Sequence, residues 1–133
     1  VNITSIEGIG PVNANRLREQ GITTTEGLLE AAKDAQGRRR LSQQTGLADD
    51  LILDWVNRAD LMRVPGIGIE YSDLLEQAGV DTVKELRRRN PEHLYTEMDV
   101  VNREKHLVRR LPGKTDVHRW VKDAQELPPM VSY

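Results

Sequence analysis

The sequence predicts an all-α protein built from one unit used twice, and three observations carry that prediction. No stretch alternates apolar and polar residues for long enough to form a strand. Apolar residues return instead at helical spacing, bracketed by residues that start and stop helices. Sliding the chain by 58 residues also lays Ile6–Leu28 on Val64–Leu86 with seven identities in 23 pairs: Gly8/Gly66, Ile9/Ile67, Gly10/Gly68, Leu17/Leu75, Gly21/Gly79, Thr24/Thr82 and Leu28/Leu86. The matches fall on glycines, a cap threonine and spaced aliphatics, the positions that backbone geometry dictates. Further on, Trp55-Val56-Asn57-Arg58-Ala59 parallels Trp120-Val121-Lys122-Asp123-Ala124, now displaced by 65 residues.

The elements follow in order from punctuation. Pro11 stands in a first helical turn, where its missing N–H costs nothing, and Gly21 stops that helix. Thr23-x-x-Glu26 and Thr82-x-x-Glu85 have the capping-box pattern and open the next helix of each unit. Beyond Gly37 a short helix is expected around Arg38–Thr45, ended by Gly46. Leu47, Leu51, Trp55 and Ala59 recur every four residues as the stripe of an amphipathic helix. In the second half Leu94, Met98, Val101 and Val108 mark a longer helix that runs to Leu111-Pro112-Gly113. Thr115 is placed to cap a last helix whose inner face is Val117, Trp120, Val121, Ala124 and Leu127. The expected organisation is a five-helix-type unit over 1–62, a second over 63–127 and a loose tail over 128–133. Units of this length have little core alone, so the two are expected to pack into one body.

Composition excludes several classes. Nineteen Lys and Arg against 21 Asp and Glu leave a net charge of −2, so bulk charge does not drive the chain onto nucleic acid or membrane. Its longest clearly apolar run is Leu51-Ile52-Leu53, too short for a membrane span or a signal-peptide core. Without cysteine there is no disulfide framework and no thiolate metal site, which fits a reducing, cytoplasmic setting. With 4% aromatic residues and no Phe, the core must be aliphatic and anchored on Trp55 and Trp120.

The Gly-Ile-Gly segments carry the chemistry. A chain that turns sharply and starts a helix within a few residues needs positive φ or close backbone approach, and glycine supplies both. Ile9 or Ile67 plugs the turn into the core while the glycines leave N–H groups uncovered at a helix start, where the macrodipole favours an anion such as phosphate. Glu7-Gly8-Ile9-Gly10-Pro11 and Pro65-Gly66-Ile67-Gly68 resemble the helix-hairpin-helix motif. Their continuations, Leu17-x3-Gly21-Ile22-x-Thr24-x3-Leu28 and Leu75-x3-Gly79-Val80-x-Thr82-x3-Leu86, are similar to the paired helix-hairpin-helix (SAM-like) domains of recombinases and of the polymerase alpha-subunit tail. Thr45-Gly46-Leu47, and Leu111-Pro112-Gly113-Lys114 in the second half, look like the second hairpin of such a pair. The phrase from Trp55 to Arg63 leading into Pro65-Gly66-Ile67-Gly68 most resembles an uncharacterised bacterial family, domain of unknown function 4332, over residues 4–127.

The resemblance implies binding to the DNA backbone without sequence preference, through hairpin amides and nearby basic or hydroxyl side chains. Matched position by position, Gly8, Ile9, Gly10, Asn13, Asn15 and Arg16 form the first candidate site, although Val12 stands where a base is usual. Gly66 and Gly68 form the second, opposed by Glu70 and Asp73, whose carboxylates repel phosphate as Glu7 does beside the first. Independently of the motif, residues 103–122 hold seven bases and two acids, a net +5 that leaves −7 for the rest. On one long helix Arg103, His106 and Arg110 would share a face, and Arg109, Gly113, Lys114, Arg119 and Lys122 would complete a basic surface.

Each feature has a plainer reading. Basic residues near a helix C-terminus complement its dipole. The triplets Arg38–Arg40 and Arg87–Arg89 each follow acids (Glu26, Glu30 and Asp34; Glu85) and are expected to be neutralised within the fold. Trp55 and Trp120 are expected in the core and not on bases. His93, His106 and His118 lack metal-ligand spacing, no nucleophile is paired with a base, and no phosphate-cradling loop with its lysine occurs. The sequence therefore points to a non-catalytic, cofactor-free accessory module, with no membrane role, that contacts nucleic acid, DNA ahead of RNA. The alternative is a protein-interaction scaffold on the same fold that has lost its phosphate contacts.

Overall fold

The computed structural model describes residues 1–6 and 8–133; Glu7, and the shadow it was expected to cast on the first turn, lie outside them. Among the described residues the chain forms eight α-helices and a short 3-10 helix, with no strand beyond an isolated bridge between Asn2 and Thr24. It divides into a first unit, Val1–Asp60 with Met130–Tyr133, and a second, Leu61–Pro129.

In the first unit a 3-10 helix (Ile3–Ser5) leads into α1 (Gly10–Glu19), α2 (Thr25–Ala32), α3 (Ala35–Thr45) and α4 (Asp49–Leu61), whose last residue belongs to the second unit. The second unit holds α5 (Ile69–Gln77), α6 (Val83–Leu86), α7 (Pro91–Lys105) and α8 (Lys114–Glu126). Each unit thus has four α-helices where a five-helix arrangement was expected. Their cores are aliphatic around one tryptophan each: Ile9, Leu17, Leu28, Ile52 and Val56 accompany Trp55, while Leu75, Leu86, Leu94, Met98 and Val117 accompany Trp120.

The same bonds recur 58 residues apart. Gly8 and Gly66 hold φ +88° and +92°, and Ile9 N–H donates to Ile6 O as Ile67 N–H does to Val64 O. α1 ends with Gly21 N–H on Arg18 O and Ile22 N–H on Leu17 O; α5 ends with Gly79 on Glu76 and Val80 on Leu75. These paired bonds close the last turn and bury the following aliphatic residue. The turns differ at their second glycine, with Gly10 at φ +67° and Gly68 at φ −101°.

Several local expectations are corrected. The cap of α2 is Thr24, whose Oγ1 accepts from Gly27 N–H, and not Thr23, whose carbonyl is engaged by Ile3 N–H. α3 begins three residues before Arg38, because Asp34 caps Gly37 N–H. Gly37 sits inside that helix, and a methyl there would stand 2.3 Å from Ala31 O. In α4 the buried stripe is Ile52, Trp55, Val56 and Ala59, with Leu51 37% exposed. α7 stops at Lys105, where His106 takes φ +52°, and Asn102 both donates to Val108 O and accepts from Val108 N–H. Arg103 and Arg110 therefore share no helix face. α8 opens at Gly113, whose N–H donates to Asp116 Oδ2, so Thr115 is not its cap. Residues 130–133, expected as a loose tail, lie with the first unit: Ser132 N–H donates to Lys33 O, and Ser132 O accepts from Arg38.

Candidate functional site

Helix starts sort the candidate sites. α2, α3, α6 and α7 open beneath a side chain that accepts from their first amides: Thr24, Asp34, Thr82 and Asn90. At α8 the Asp116 carboxylate folds back on Gly113 N–H. α1 and α5, the two helices born from Gly-Ile-Gly turns, have no side-chain cap. Their first amides keep the positive end of the dipole and receive no bond from an N-cap side chain, which is a local arrangement that an anion satisfies. Ile9 and Ile67 are buried beneath these turns while the flanking glycines Gly8, Gly10, Gly66 and Gly68 are exposed.

Around the first turn, α1 has no acid in its first turn. Asn13 follows half-buried, and Arg16 is exposed on the same helix near the Gly46 turn, where a methyl on Gly46 would lie 4.0 Å from Arg16 Nη1. Asn15 Oδ1 accepts from Arg18, so its amide oxygen is engaged within the helix.

The second turn lies against α8. A methyl on Gly66 would stand 3.0 Å from Trp120 Nε1 and 3.8 Å from Arg119 Nη2. Trp120 Nε1 is buried with no acceptor among the described residues, and the indole packs on the Tyr71 ring at 5.3 Å between centroids. Tyr71 OH donates to Arg110 O at 3.0 Å, tying the 107–113 loop to the first turns of α5. The late basic segment, which the sequence set apart from this turn, thus brings Arg119 and the Arg110 backbone to it. Glu70, exposed in the first turn of α5, remains an opposing charge there.

The rest of that segment separates by partner. Arg103 is paired with Asp99 at 3.0 Å, and Arg119 with Asp116 at 2.9 Å. Lys114 lies over the Tyr95 ring at 5.6 Å. Gly113 N–H is occupied by Asp116, so the turn at 111–114 offers no bare amide at that position. Arg109, Arg110 and Lys122 are exposed, and no carboxylate among the described residues meets their charged ends.

The arginine triplets are a second correction. Arg38 is buried and donates to the Ala32 and Ser132 carbonyls. The acids expected to neutralise its neighbours are committed elsewhere: Glu30 to Lys33 at 3.0 Å, and Asp34 to the Gly37 amide. Glu26 pairs with the Val1 ammonium at 3.2 Å, and its carboxyl is held below the ordinary range, first by its backbone hydrogen bond and then by that ammonium. Arg39 and Arg40 are left exposed and unanswered among the described residues, a consequence that only the tertiary structure reveals. In the other triplet Arg87 donates to Gln125 O, and Arg89 pairs with Glu97 where Glu85 was expected.

Ser42 and Ser72 hydroxyls donate to the carbonyls of Leu47 and Ile69. Among the described residues no three His, Asp or Glu side chains gather as metal ligands, and no helix is long and apolar enough to cross a membrane.

Large ribosomal subunit protein bL21 of Chelativorans sp. (strain BNC1) is 41% identical over 58 residues, which are 44% of this chain and 26% of that protein. The chain therefore matches about a quarter of that relative's length. No solved structure matches it. The model of the family described as "Domain of unknown function (DUF4332)" matches residues 7–127, and the chain belongs to that family.

Proposed function

We propose that the chain is a non-catalytic, cytoplasmic nucleic-acid-binding module whose two units are copies of a helix-hairpin-helix domain gripping the phosphate backbone. One observation carries the reading: the two helices that issue from Gly-Ile-Gly turns open with neither a side-chain cap nor a carboxylate on the N-cap amide, while α2, α3, α6 and α7 have a side-chain cap and α8 has Asp116 on the amide of its N-cap Gly113. A phosphate oxygen at those amides accepts N–H bonds and gains from the helix dipole. The first hairpin is the stronger site, with Asn13 and Arg16 beside it and no acid in the first turn of α1. At the second, Arg119 exchanges Asp116 for phosphate, with Arg109 and Arg110 near and Glu70 opposing.

The test is fluorescence anisotropy of the full chain with labelled single-stranded DNA, double-stranded DNA and double-stranded RNA at about 50 and 200 mM salt. Binding to DNA is expected at the lower concentration and should fade steeply at the higher. The double variant Arg109→Glu/Arg110→Glu should weaken it, and Arg16→Glu at the stronger site should weaken it further. The relative's name, a protein of the large ribosomal subunit, is the reason for the RNA arm and supports a second reading, in which the module serves assembly with a protein or ribonucleoprotein partner. Failure to bind any of the three probes at about 50 mM salt would overturn the nucleic-acid reading in favour of a protein partner.

A further inference from the structure

Helix α3 departs from the charge habit of its neighbours. α2, α4, α7 and α8 each answer a base with an acid three or four residues away: Lys33 with Glu30, Arg58 with Asp54, Arg103 with Asp99, and Arg119 with Asp116. Such pairs are the ordinary dressing of a solvated helix. α3 has no carboxylate in its 11 residues. Its exposed side chains Gln36, Arg39, Arg40 and Gln43 fall at i, i+3, i+4 and i+7, so they form one stripe. The four together line one shallow surface depression. Beyond the Gly46 turn, Asp49 and Asp50 stand in the first turn of α4, where they complement that helix's own dipole.

The stripe is held in orientation. Gly37 brings the helix against the Ala31 carbonyl, where a side chain would collide. Arg38 turns inward, 5% exposed, and is bound to two carbonyls. Rotating α3 about its axis would break those bonds, so the helix is held with the Arg39 and Arg40 positions on its outer side.

We propose that this face of α3 is a nucleic-acid contact surface, with the Arg39 and Arg40 guanidinium groups on backbone phosphates and Gln36 and Gln43 on flanking sugar or phosphate oxygens. Charge complementarity selects the occupant. Planar guanidinium forks match phosphate oxygens in pairs, and glutamine amides are regular partners of the sugar-phosphate backbone. A lipid surface would call for apolar side chains among the bases, and this stripe has none. The inference rests on the nucleic-acid reading above but assigns contact to the side of a helix remote in sequence from both Gly-Ile-Gly turns.

The experiment uses the full chain and the double variant Arg39→Gln/Arg40→Gln, which preserves side-chain length and helix propensity. Anisotropy is followed with labelled double-stranded DNA, single-stranded DNA and double-stranded RNA across about 50–200 mM salt. The expected result, with an unchanged circular dichroism spectrum, is roughly tenfold weaker binding at low salt and a salt slope shallower by about 2 on duplex DNA, near 0.9 for each phosphate released. If the variant keeps the wild-type slope, α3 makes no phosphate contact and this inference falls while the nucleic-acid reading stands. Wild-type protein that binds none of the probes overturns both.

Discussion

Gly8 and Gly66 occupy matching turns at nearly the same positive φ, yet their surroundings differ. A methyl at Gly8 meets nothing within 4 Å, whereas one at Gly66 meets the buried Trp120 indole at 3.0 Å. Gly8→Ala should cost only the left-handed backbone penalty, about 1–2 kcal/mol. Gly66→Ala adds displacement of a packed ring, for which overpacking costs of about 1–3 kcal/mol are typical. Urea denaturation of both variants checks the difference, and equal losses would mean that Trp120 is not wedged against the turn. Both glycines are legible from the repeat, because positive φ is a backbone requirement. The indole against one of them is not, since Trp120 lies more than 50 residues away in the chain.

At the scale of elements, α4 shows why a spacing of four misleads. Four residues turn a helix by about 400°, so each step along Leu47, Leu51, Trp55 and Ala59 drifts roughly 40° around the axis. Alternating steps of three and four, as in Ile52, Trp55, Val56 and Ala59, stay on one side. Ile52→Ala should therefore cost about 2–5 kcal/mol, whereas Leu51→Ala should stay within about 0.5 kcal/mol. Thermal or chemical unfolding separates the two, and a large loss from Leu51→Ala would restore the four-residue stripe. The cap of α2 teaches a related lesson. The capping-box pattern favours Thr23, but the 58-residue register pairs Thr24 with Thr82, and the structure has both of these as caps. The register succeeds because it samples a whole turn-helix-turn segment, while the four-residue pattern is blind to Thr23 bonding the start of the chain. The early end of α7 has no comparable signal: Asn102 bonding both polar groups of Val108 replaces the helical ladder.

For the whole molecule, the first unit is completed by the far end of the chain. Arg38 and Ser132 are separated by 94 residues, and Val131 is buried with them. Removing residues 130–133 would leave the buried Arg38 guanidinium short of an acceptor, an expected loss of about 1–3 kcal/mol. A denaturation midpoint unchanged by that deletion would show the tail to be dispensable. By itself, the amino-acid sequence determined the all-helical architecture, the recurrence of the Gly-Ile-Gly turns and the stops of α1 and α3 at Gly21 and Gly46, because caps, glycines and apolar spacing act through neighbours a few residues away. Which arginines are spent on carbonyls or carboxylates and which face solvent was decided only by the tertiary structure, because those partners are distant in sequence and a guanidinium selects among them by reach and orientation.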